Sequence, residues 1–311
     1  MQTAAGKLAE RIAGAFLKEQ VQASYQITGK GFVNQVYVVE TTNHKVVVRM
    51  NDADHFPGYV KENWCISQAA AAGIPGPEVL SIGIAEETAY MIQEFVEGDN
   101  GQDSTVSKSA IWRQLGGYSR LIHSIPVKGY GEHLIDPLHG EFHSPAHPGS
   151  DGSWQGYVQY NINSLTADDR LIELGVTDQA KSQRVRKMFE QVRQKSFRFG
   201  LIHGDLSLKN TIIDPAGQVI LLDWGNAEVR PVPYGEIIAL MQSQLASGEP
   251  AIEDFNAYLD GYGLSAGELT DIHPLLLLKA FDNLRWALDQ RPDLIDAYAA
   301  SAKQAVGIVM G

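Results

Sequence analysis

Cysteine and long apolar runs are both scarce in this chain. Cys65 is the single cysteine among 311 residues, which excludes an internal disulfide and agrees with a reducing cytoplasm. No apolar run approaches the roughly 20 residues of a membrane span. Charged side chains interrupt the first twenty residues, which predicts an amphipathic helix with Leu8, Ile12 and Phe16 near one face rather than a signal peptide. We therefore expect a cytoplasmic protein with no membrane partner.

Basic residues are also few. The chain has 25 Lys and Arg against 37 Asp and Glu, a formal net charge of −12. So acidic a protein is a poor partner for a nucleic-acid backbone, whereas a cationic ligand is compatible with it. The length permits one large domain or two lobes with a substantial core.

The most informative stretch that is present runs from Leu201 to Gly225. It places His203-x-Asp205 before Asn210 and then ends on Asp223-Trp224-Gly225. Phosphoryl transfer needs a carboxylate that positions an attacking hydroxyl, and an amide and a carboxylate that hold Mg²⁺ on the nucleotide phosphates. The order H-x-D-x-x-x-x-N followed by D-x-G supplies these groups in that order.

The spacing also predicts a hairpin that brings two of these residues together. Asp214-Pro-Ala-Gly suits a type I turn between two apolar runs. If Asp214 faces Val219, counting outward sets Asn210 opposite Asp223, and directly opposed side chains lie close enough to share a cation. The alternative is that Asp205, Asn210 and Asp223 are ordinary cap and turn residues. All three in this order favour the functional interpretation.

The remaining sequence predicts a small β-rich lobe, residues 1–97, followed by a larger lobe, residues 98–311, after the breaker cluster Gly98-Asp99-Asn100-Gly101. A long stretch dense in Gly, Pro and His, Pro126 to Gly156, is expected to be irregular. The expected strands are Ser24–Thr28, Gln35–Glu40, Lys45–Met50, Val79–Ile84 and Thr88–Gln93, and the expected helices include Glu62–Ala72, Ser107–Ser124 and Asp178–Lys195.

On these features the chain resembles the aminoglycoside phosphotransferase superfamily of small-molecule kinases, over nearly its whole length. The resemblance implies an α+β, bilobal protein-kinase-like fold, and transfer of the γ-phosphoryl group of ATP or GTP to a hydroxyl of a small molecule. It also implies that Asp205 is the catalytic carboxylate, that His203 braces the catalytic loop, and that Asn210 and Asp223 are the Mg²⁺ ligands.

The resemblance extends to the nucleotide side of the site. Gly29, Gly31 and Asn34 lie where kinases place a glycine-rich cover over the phosphates, although a plain hairpin turn is an equal alternative. Arg49 occupies the slot of the usual strand lysine, and Glu62 falls where its helical glutamate partner belongs. Arginine can also bind phosphate, through bidentate hydrogen bonds. The alternative for Arg49 is a surface strand charge.

Two further predictions concern the nucleotide donor. Glu94 and Val96 end the fifth strand, where adenine normally hydrogen-bonds to backbone groups. Lys209, four residues after Asp205, either reaches the transferred phosphoryl group or lies in solvent.

The acceptor is expected to be a hydroxylated, cationic small molecule such as an aminoglycoside-like antibiotic. Ten carboxylates and only three basic residues lie between Glu249 and Asp296, and the resemblance suggests that such acidic helices line a pocket for amine-bearing sugars. A solvated helix face is the alternative.

Three competing functions remain at this point. The first is a kinase of another small metabolite, such as an amino alcohol, a sugar, a homoserine-like compound or a macrolide. The second is a protein kinase, against which no A-P-E element follows Asp223. The third is a pseudokinase-type nucleotide-binding module, which Arg49 favours and the joint presence of Asp205, Asn210 and Asp223 opposes.

Overall fold

The computed structural model describes residues 3–27 and 34–311 and divides the chain into two compact units. The first unit comprises Met1–Ile111 and Ser207–Ala227, and the second comprises Trp112–Leu206 and Glu228–Gly311. A β-sheet dominates the amino-terminal region and helices dominate the rest, which confirms the α+β class. The functional division into residues 1–97 and 98–311 stays a prediction.

The first unit contains a five-stranded antiparallel sheet in the order β1-β2-β3-β5-β4. Its strands are β1 (Val21–Ile27), β2 (Gln35–Thr41), β3 (Lys45–Asp52), β4 (Val79–Ala85) and β5 (Thr88–Glu94). Two helices accompany it, α1 (Ala4–Leu17) and α2 (Phe56–Ala71). The predicted strands agree within a few residues. Helix α2 begins six residues before the predicted start because Pro57 is tolerated in a first helical turn.

Alternation along β3 gives the sheet two different faces. Val48 belongs to a buried cluster with Ile12 of α1. Arg49, the next residue, points to the opposite face because neighbouring strand side chains alternate. On that side Tyr59 of α2 packs with Met91, the β5 residue paired with Arg49. The α2 side of the sheet is therefore where the strand charge is buried.

Helix α1 is amphipathic as predicted, and of the three residues expected near one face Phe16 is the exposed one. Ile12 is buried together with Ala9 and Ala13. Phe16 is 42% exposed. Four residues after Ile12 in a helix is a 40° advance around the axis. Near the carboxyl end of α1 the sheet side is occupied instead by Leu17, which packs against the same cluster.

A second, three-stranded sheet of the first unit holds the predicted hairpin. Its strands, in the order β12-β11-β6, are β6 (Asp99–Asn100), β11 (Thr211–Ile213) and β12 (Val219–Leu221). Ile213 pairs with Val219, so the predicted register is wrong by one residue. The turn closes from Asp214, whose C=O accepts from the Gly217 N–H at 2.9 Å and whose N–H donates to the Gln218 C=O at 3.0 Å. Gly217, with φ +80°, therefore completes a three-residue loop, one residue shorter than the loop that pairing Asp214 with Val219 would leave. Asn210 consequently lies opposite Leu222, whose N–H donates to the Asn210 C=O at 2.9 Å.

The remaining helices are α3 (Lys108–Ile122), α4 (Trp154–Ser164), α5 (Arg170–Glu173), α6 (Gln179–Gln194), α7 (Tyr234–Ser247), α8 (Ile252–Tyr262), α9 (Ile272–Gln290) and α10 (Ile295–Met310). A large core cluster of the second unit includes Phe189 of α6 and Phe281 of α9, whose rings meet edge to face. Among the described residues, no helix is long and apolar enough to cross a membrane.

Short strands complete the second unit. Strand β10 (Phe199–Ile202) pairs with β13 (Glu228–Pro231), and this pair leads into the segment that carries His203 and Asp205. The stretch predicted as irregular contains a three-stranded sheet of β7 (Lys128–Gly129), β8 (His133–Asp136) and β9 (Glu141–His143). Strands of two to four residues carry too little alternation to be read from the sequence.

The left-handed Gly217 should be needed for the hairpin. We expect Gly217→Ala to lower the free energy of unfolding by about 1 kcal/mol, because a side chain disfavours positive φ even though the added Cβ meets no atom within 4 Å. The matched control is Gly307→Ala at an exposed position of α10, where the added Cβ also meets no atom within 4 Å, and this variant should be stabilised by about 0.5–1 kcal/mol. Denaturant unfolding of both variants checks the opposite signs, and equal effects would contradict them.

Candidate functional site

A buried ion pair lies at the centre of the first unit. The Arg49 guanidinium is 8% exposed and pairs with the Glu62 carboxylate, itself 1% exposed. Its second nitrogen, Nη2, donates to Asp223 Oδ1 at 3.2 Å. Arg49 is therefore not a surface strand charge, and that alternative is wrong. The guanidinium joins the helical glutamate to the aspartate of the D-x-G element.

The electrostatics of this group keep the arginine charged. Burial by itself would lower the pKa of Arg49, but attraction from the Glu62 and Asp223 carboxylates outweighs burial and raises that pKa above its ordinary value. A lysine at the same position could lose its charge on burial, whereas arginine does not. A permanent positive charge is thus available beside Asp223.

Asp223 leaves the strand ladder in a left-handed conformation. Its φ is +59° and ψ is 76°, immediately after β12 and before a short 3₁₀ turn over Trp224–Asn226. Aspartate tolerates this region better than most residues. Its side chain is 49% exposed although it also contacts Arg49. The reversed backbone turns the carboxylate out of the hairpin and leaves it accessible to a ligand.

Asn210 lies at the other strand of the hairpin, at the end of a 3₁₀ turn over Leu208–Asn210, and is buried. Within residues 3–27 and 34–311 no group of three or more His, Cys, Asp or Glu could hold a metal ion. One carboxylate and one amide nevertheless fit Mg²⁺, which usually takes one or two carboxylates together with substrate phosphates and water. The exposed Asp223 carboxylate satisfies that requirement. The metal roles of Asn210 and Asp223 stay predictions.

On the nucleotide side, Gly29 and Gly31 lie outside the described residues. Asn34 is described, and its Oδ1 accepts from the Tyr59 hydroxyl at 3.1 Å and from Asn51 Nδ2 at 3.0 Å. Sequence reasoning missed both partners, because neither a buried tyrosine nor a strand asparagine carries a distinctive spacing.

One hydrogen bond at the end of β5 limits which backbone groups could contact adenine. The Glu94 N–H donates to the Glu78 C=O at 2.9 Å. That donor is therefore occupied within the protein. The described residues provide no backbone hydrogen bond to Val96. If the adenine contacts form here, the donor is the Val96 N–H rather than that of Glu94.

Two lysines occupy different places near the hairpin. The Lys209 side chain is exposed, and its C=O accepts from Asn100 Nδ2 at 2.9 Å. Lys61 of α2, which sequence reasoning missed, donates from Nζ to the C=O groups of Gly225 at 2.8 Å and Ala227 at 3.1 Å. The one sequence feature that could have identified Lys61 is that it immediately precedes Glu62. Lys61 ties α2 to the segment that follows Asp223.

In the second unit, His203 and Asp205 follow β10. His203 is fully buried, and its Nδ1 accepts from the Asp205 N–H at 3.3 Å. The Glu236 carboxylate, in the first turn of α7, accepts from the backbone N–H of His203 at 2.7 Å and of Gly204 at 3.3 Å. Gly204 has φ +79°, a conformation that glycine adopts freely. The loop that carries Asp205 is thus held from two sides.

Burial of Glu236 beside this loop disfavours the charged form of its carboxylate. Burial raises its pKa to about 7, although the His203 and Gly204 N–H groups act in the opposite direction, and the Glu228 and Asp205 charges raise it further. Sequence reasoning missed Glu236 because a glutamate in a first helical turn is ordinary.

The ten carboxylates between Glu249 and Asp296 are not equivalent. Asp260, Asp271 and Asp293 are each paired with a basic side chain. Asp282 and Asp289 differ, because both lie near enough to Tyr160 of α4 to raise its pKa, after burial as the main cause. Asp282 and Asp289 are therefore two carboxylates of this region that lie near an aromatic side chain.

A pH-dependent stability difference should reveal Glu236. Between its ordinary pKa of 4.5 and the folded value of about 7, the folded state binds more protons than the unfolded state, so stability falls as pH rises. Glu236→Gln lacks this titration. Its stability relative to the parent should therefore increase by up to about 3 kcal/mol from pH 4.5 to 7 and change little above pH 7. Denaturant unfolding across this range measures it, with exposed Glu253→Gln as the control. Parallel curves for both variants would contradict the assignment.

Solved structures share the architecture. Aminoglycoside phosphotransferase APH(4)-Ia is 17% identical, with 98% of this chain and 99% of that chain covered and a TM-score of 0.70. Spectinomycin phosphotransferase APH(9)-Ia, in complex with ADP and spectinomycin, is 14% identical over 98% and 97% with a TM-score of 0.59. The GDP and kanamycin complex of APH(2")-IIia is 15% identical over 96% and 97% with a TM-score of 0.65. The chain therefore has the kinase-like fold of these enzymes, as predicted.

Among curated protein sequences, none matches this chain. The model of the phosphotransferase enzyme family, APH, matches residues 24–301. That match includes the whole of the H-x-D…N…D-x-G stretch and both partners of the Arg49–Glu62 pair. The chain belongs to the phosphotransferase enzyme family.

Proposed function

We propose that this enzyme transfers the γ-phosphoryl group of ATP or GTP, bound with Mg²⁺, to a hydroxyl of a small amine-bearing molecule. The observation that carries the proposal is the bond from the buried Arg49 guanidinium to both Glu62 and Asp223. This arrangement gives a fixed positive charge beside a half-exposed carboxylate, which suits a nucleotide's phosphates and their cation.

On the donor side, Arg49 binds phosphate oxygens and Glu62 holds the guanidinium in place. Asn210 and Asp223 hold the magnesium ion, which neutralises charge on the phosphates when it is bound. Related structures are complexes with AMP-PNP, ADP and GDP, which supports a nucleotide donor without selecting the base.

On the acceptor side, the Asp205 carboxylate orients the hydroxyl and takes its proton. The hydroxyl oxygen bonds to the γ-phosphorus, the bond from that phosphorus to the β–γ bridging oxygen breaks, and the nucleoside diphosphate leaves. His203 and Glu236 keep the backbone of the Asp205 segment in place through the hydrogen bonds described above. Lys209 stays a candidate for contact with the transferred group.

The proposed amine-bearing acceptor is based on the negative charge of two carboxylates near aromatic side chains. Beyond burial, the main cause, Asp282 and Asp289 both raise the pKa of Tyr160, and Asp282 also raises the pKa of the half-buried Tyr157. Aromatic rings next to carboxylates bind amine-bearing rings well. Hygromycin B, spectinomycin and kanamycin occupy related structures, which supports a polyhydroxylated amine, including an antibiotic. A cytoplasmic location agrees with such a substrate.

The decisive variant is Asp205→Asn. We expect it to reduce phosphoryl transfer by about 10²–10⁴-fold, because the amide cannot accept the hydroxyl proton, while affinity for Mg–ATP stays within a few-fold. An acceptor screen across aminoglycosides, amino alcohols, sugars and macrolides, followed by kinetics on the best substrate, measures it. Asp168→Asn, an exposed aspartate of the same unit, should behave like the parent.

Two results of that experiment would count against the proposal. Turnover by Asp205→Asn close to that of the parent would remove Asp205 from the mechanism. A parent enzyme that binds Mg–ATP but phosphorylates nothing in the screen would favour the nucleotide-binding module without turnover.

The acceptor charge is tested separately. Neutralising Asp282 and Asp289 together should raise the acceptor KM several-fold and leave the nucleotide KM unchanged, because clustered carboxylates attract cations, and the difference should shrink with added salt. The control neutralises Glu253 and Asp260, which removes the same charge from exposed positions on α8. A neutral or anionic best acceptor, or equal effects of the two double variants, would contradict a cationic acceptor.

A further inference from the structure

Helix α2 presents two functional side chains on one face. Tyr59 and Glu62 are three residues apart, which places them as neighbours on a helix surface. Glu62 pairs with Arg49, and the Tyr59 ring lies 5.9 Å from the Arg49 guanidinium. Tyr59 is fully buried. The helix that orients the phosphate-binding arginine therefore carries a second polar group directed into the same region of the first unit.

Among the described residues, the Tyr59 hydroxyl donates one hydrogen bond, to Asn34. The Asn34 Oδ1 accepts from that hydroxyl at 3.1 Å and from Asn51 Nδ2 at 3.0 Å. An amide oxygen has two lone pairs, and both are engaged here. The group that the Asn34 side chain can still offer to a ligand is its amide N–H, a donor suited to phosphate oxygens.

We propose that Tyr59 is a positioning residue for nucleotide binding. Its hydroxyl, together with Asn51, holds the Asn34 amide in the one orientation that directs the N–H towards a nucleotide phosphate. This inference rests on the proposed function, because it presumes that the first unit binds Mg–ATP or Mg–GTP. It adds a specific claim, namely that an asparagine and an arginine are aligned for phosphate by the same helix.

Phenylalanine at position 59 isolates the hydroxyl. The aromatic ring and its contact with Arg49 are retained in Tyr59→Phe, and one hydrogen bond to Asn34 is lost. Asn34 can then rotate, so a fraction of the molecules presents its oxygen to the phosphates. Affinity for Mg–ATP should fall about fivefold, the size expected for one hydrogen bond.

The experiment measures the dissociation constants of Mg–ATP and Mg–GTP by calorimetry for the parent, Tyr59→Phe, Asn34→Ala and the double variant. If Tyr59 acts through Asn34, adding Tyr59→Phe to Asn34→Ala should change affinity by less than about twofold. A purely structural contribution of the hydroxyl would weaken binding equally in both backgrounds. Asn34→Asp keeps the oxygen acceptors and removes the N–H, so it should bind nucleotide no better than Asn34→Ala.

Tyr37→Phe is the matched control. Tyr37 is also buried in the first unit, and its hydroxyl is hydrogen-bonded at 3.1 Å to Thr3, outside the candidate site. It should lose similar thermal stability and no nucleotide affinity. Equal nucleotide affinity of Tyr59→Phe and Tyr37→Phe, or additive effects of Tyr59→Phe and Asn34→Ala, would overturn the inference alone. A parent enzyme that binds neither nucleotide would overturn the proposed function as well.

Discussion

The buried charge of Arg49 is the constraint on which the first unit depends. A guanidinium removed from water is costly unless carboxylates compensate it, and breaking such a pair leaves an uncompensated charge in the interior. Glu62 and Asp223 supply that compensation from a helix and from the turn after a distant hairpin. Strand β3, helix α2 and the D-x-G element must therefore be placed correctly at the same time. The proposed contact of Arg49 with phosphate depends on the same arrangement.

The second unit uses a buried charge of the opposite sign for a comparable purpose. Glu236 has no basic partner among its described contacts and is satisfied by backbone N–H groups of the loop before Asp205. Its raised pKa shows that these bonds compensate burial only in part. A neutral residue at position 236 would carry a smaller desolvation penalty. The carboxylate is explained by the two donors it accepts from, which restrain the backbone on either side of the His203–Gly204 peptide.

Much of this organisation could be predicted from the sequence, and the errors have local causes. The α+β class, the strands of the main sheet and the family follow from alternation and from the H-x-D…N…D-x-G order. The Arg49–Glu62 pairing was expected from the resemblance to kinases, which place a strand lysine and a helical glutamate at these positions. The hairpin register was wrong by one residue because Gly217 adopts a positive φ and closes the loop one residue earlier, with Asp214 bonded to Gln218. Phe16 shares the apolar spacing of Leu8 and Ile12 but is 42% exposed, and spacing alone cannot tell a buried helix position from an exposed one at the helix end.

The sequence by itself determined the order of the chemical groups, because H-x-D, Asn210 and D-x-G are close along the chain and their spacing is set by short turns. Only the tertiary structure decided what holds them. Tyr59 is 25 residues from Asn34, and Glu236 is 33 residues from His203. Any buried tyrosine or glutamate of similar propensity would look the same in the sequence. The choice among them depends on which backbone and side-chain donors folding brings within hydrogen-bond distance, and that depends on the whole packed chain rather than on a local pattern.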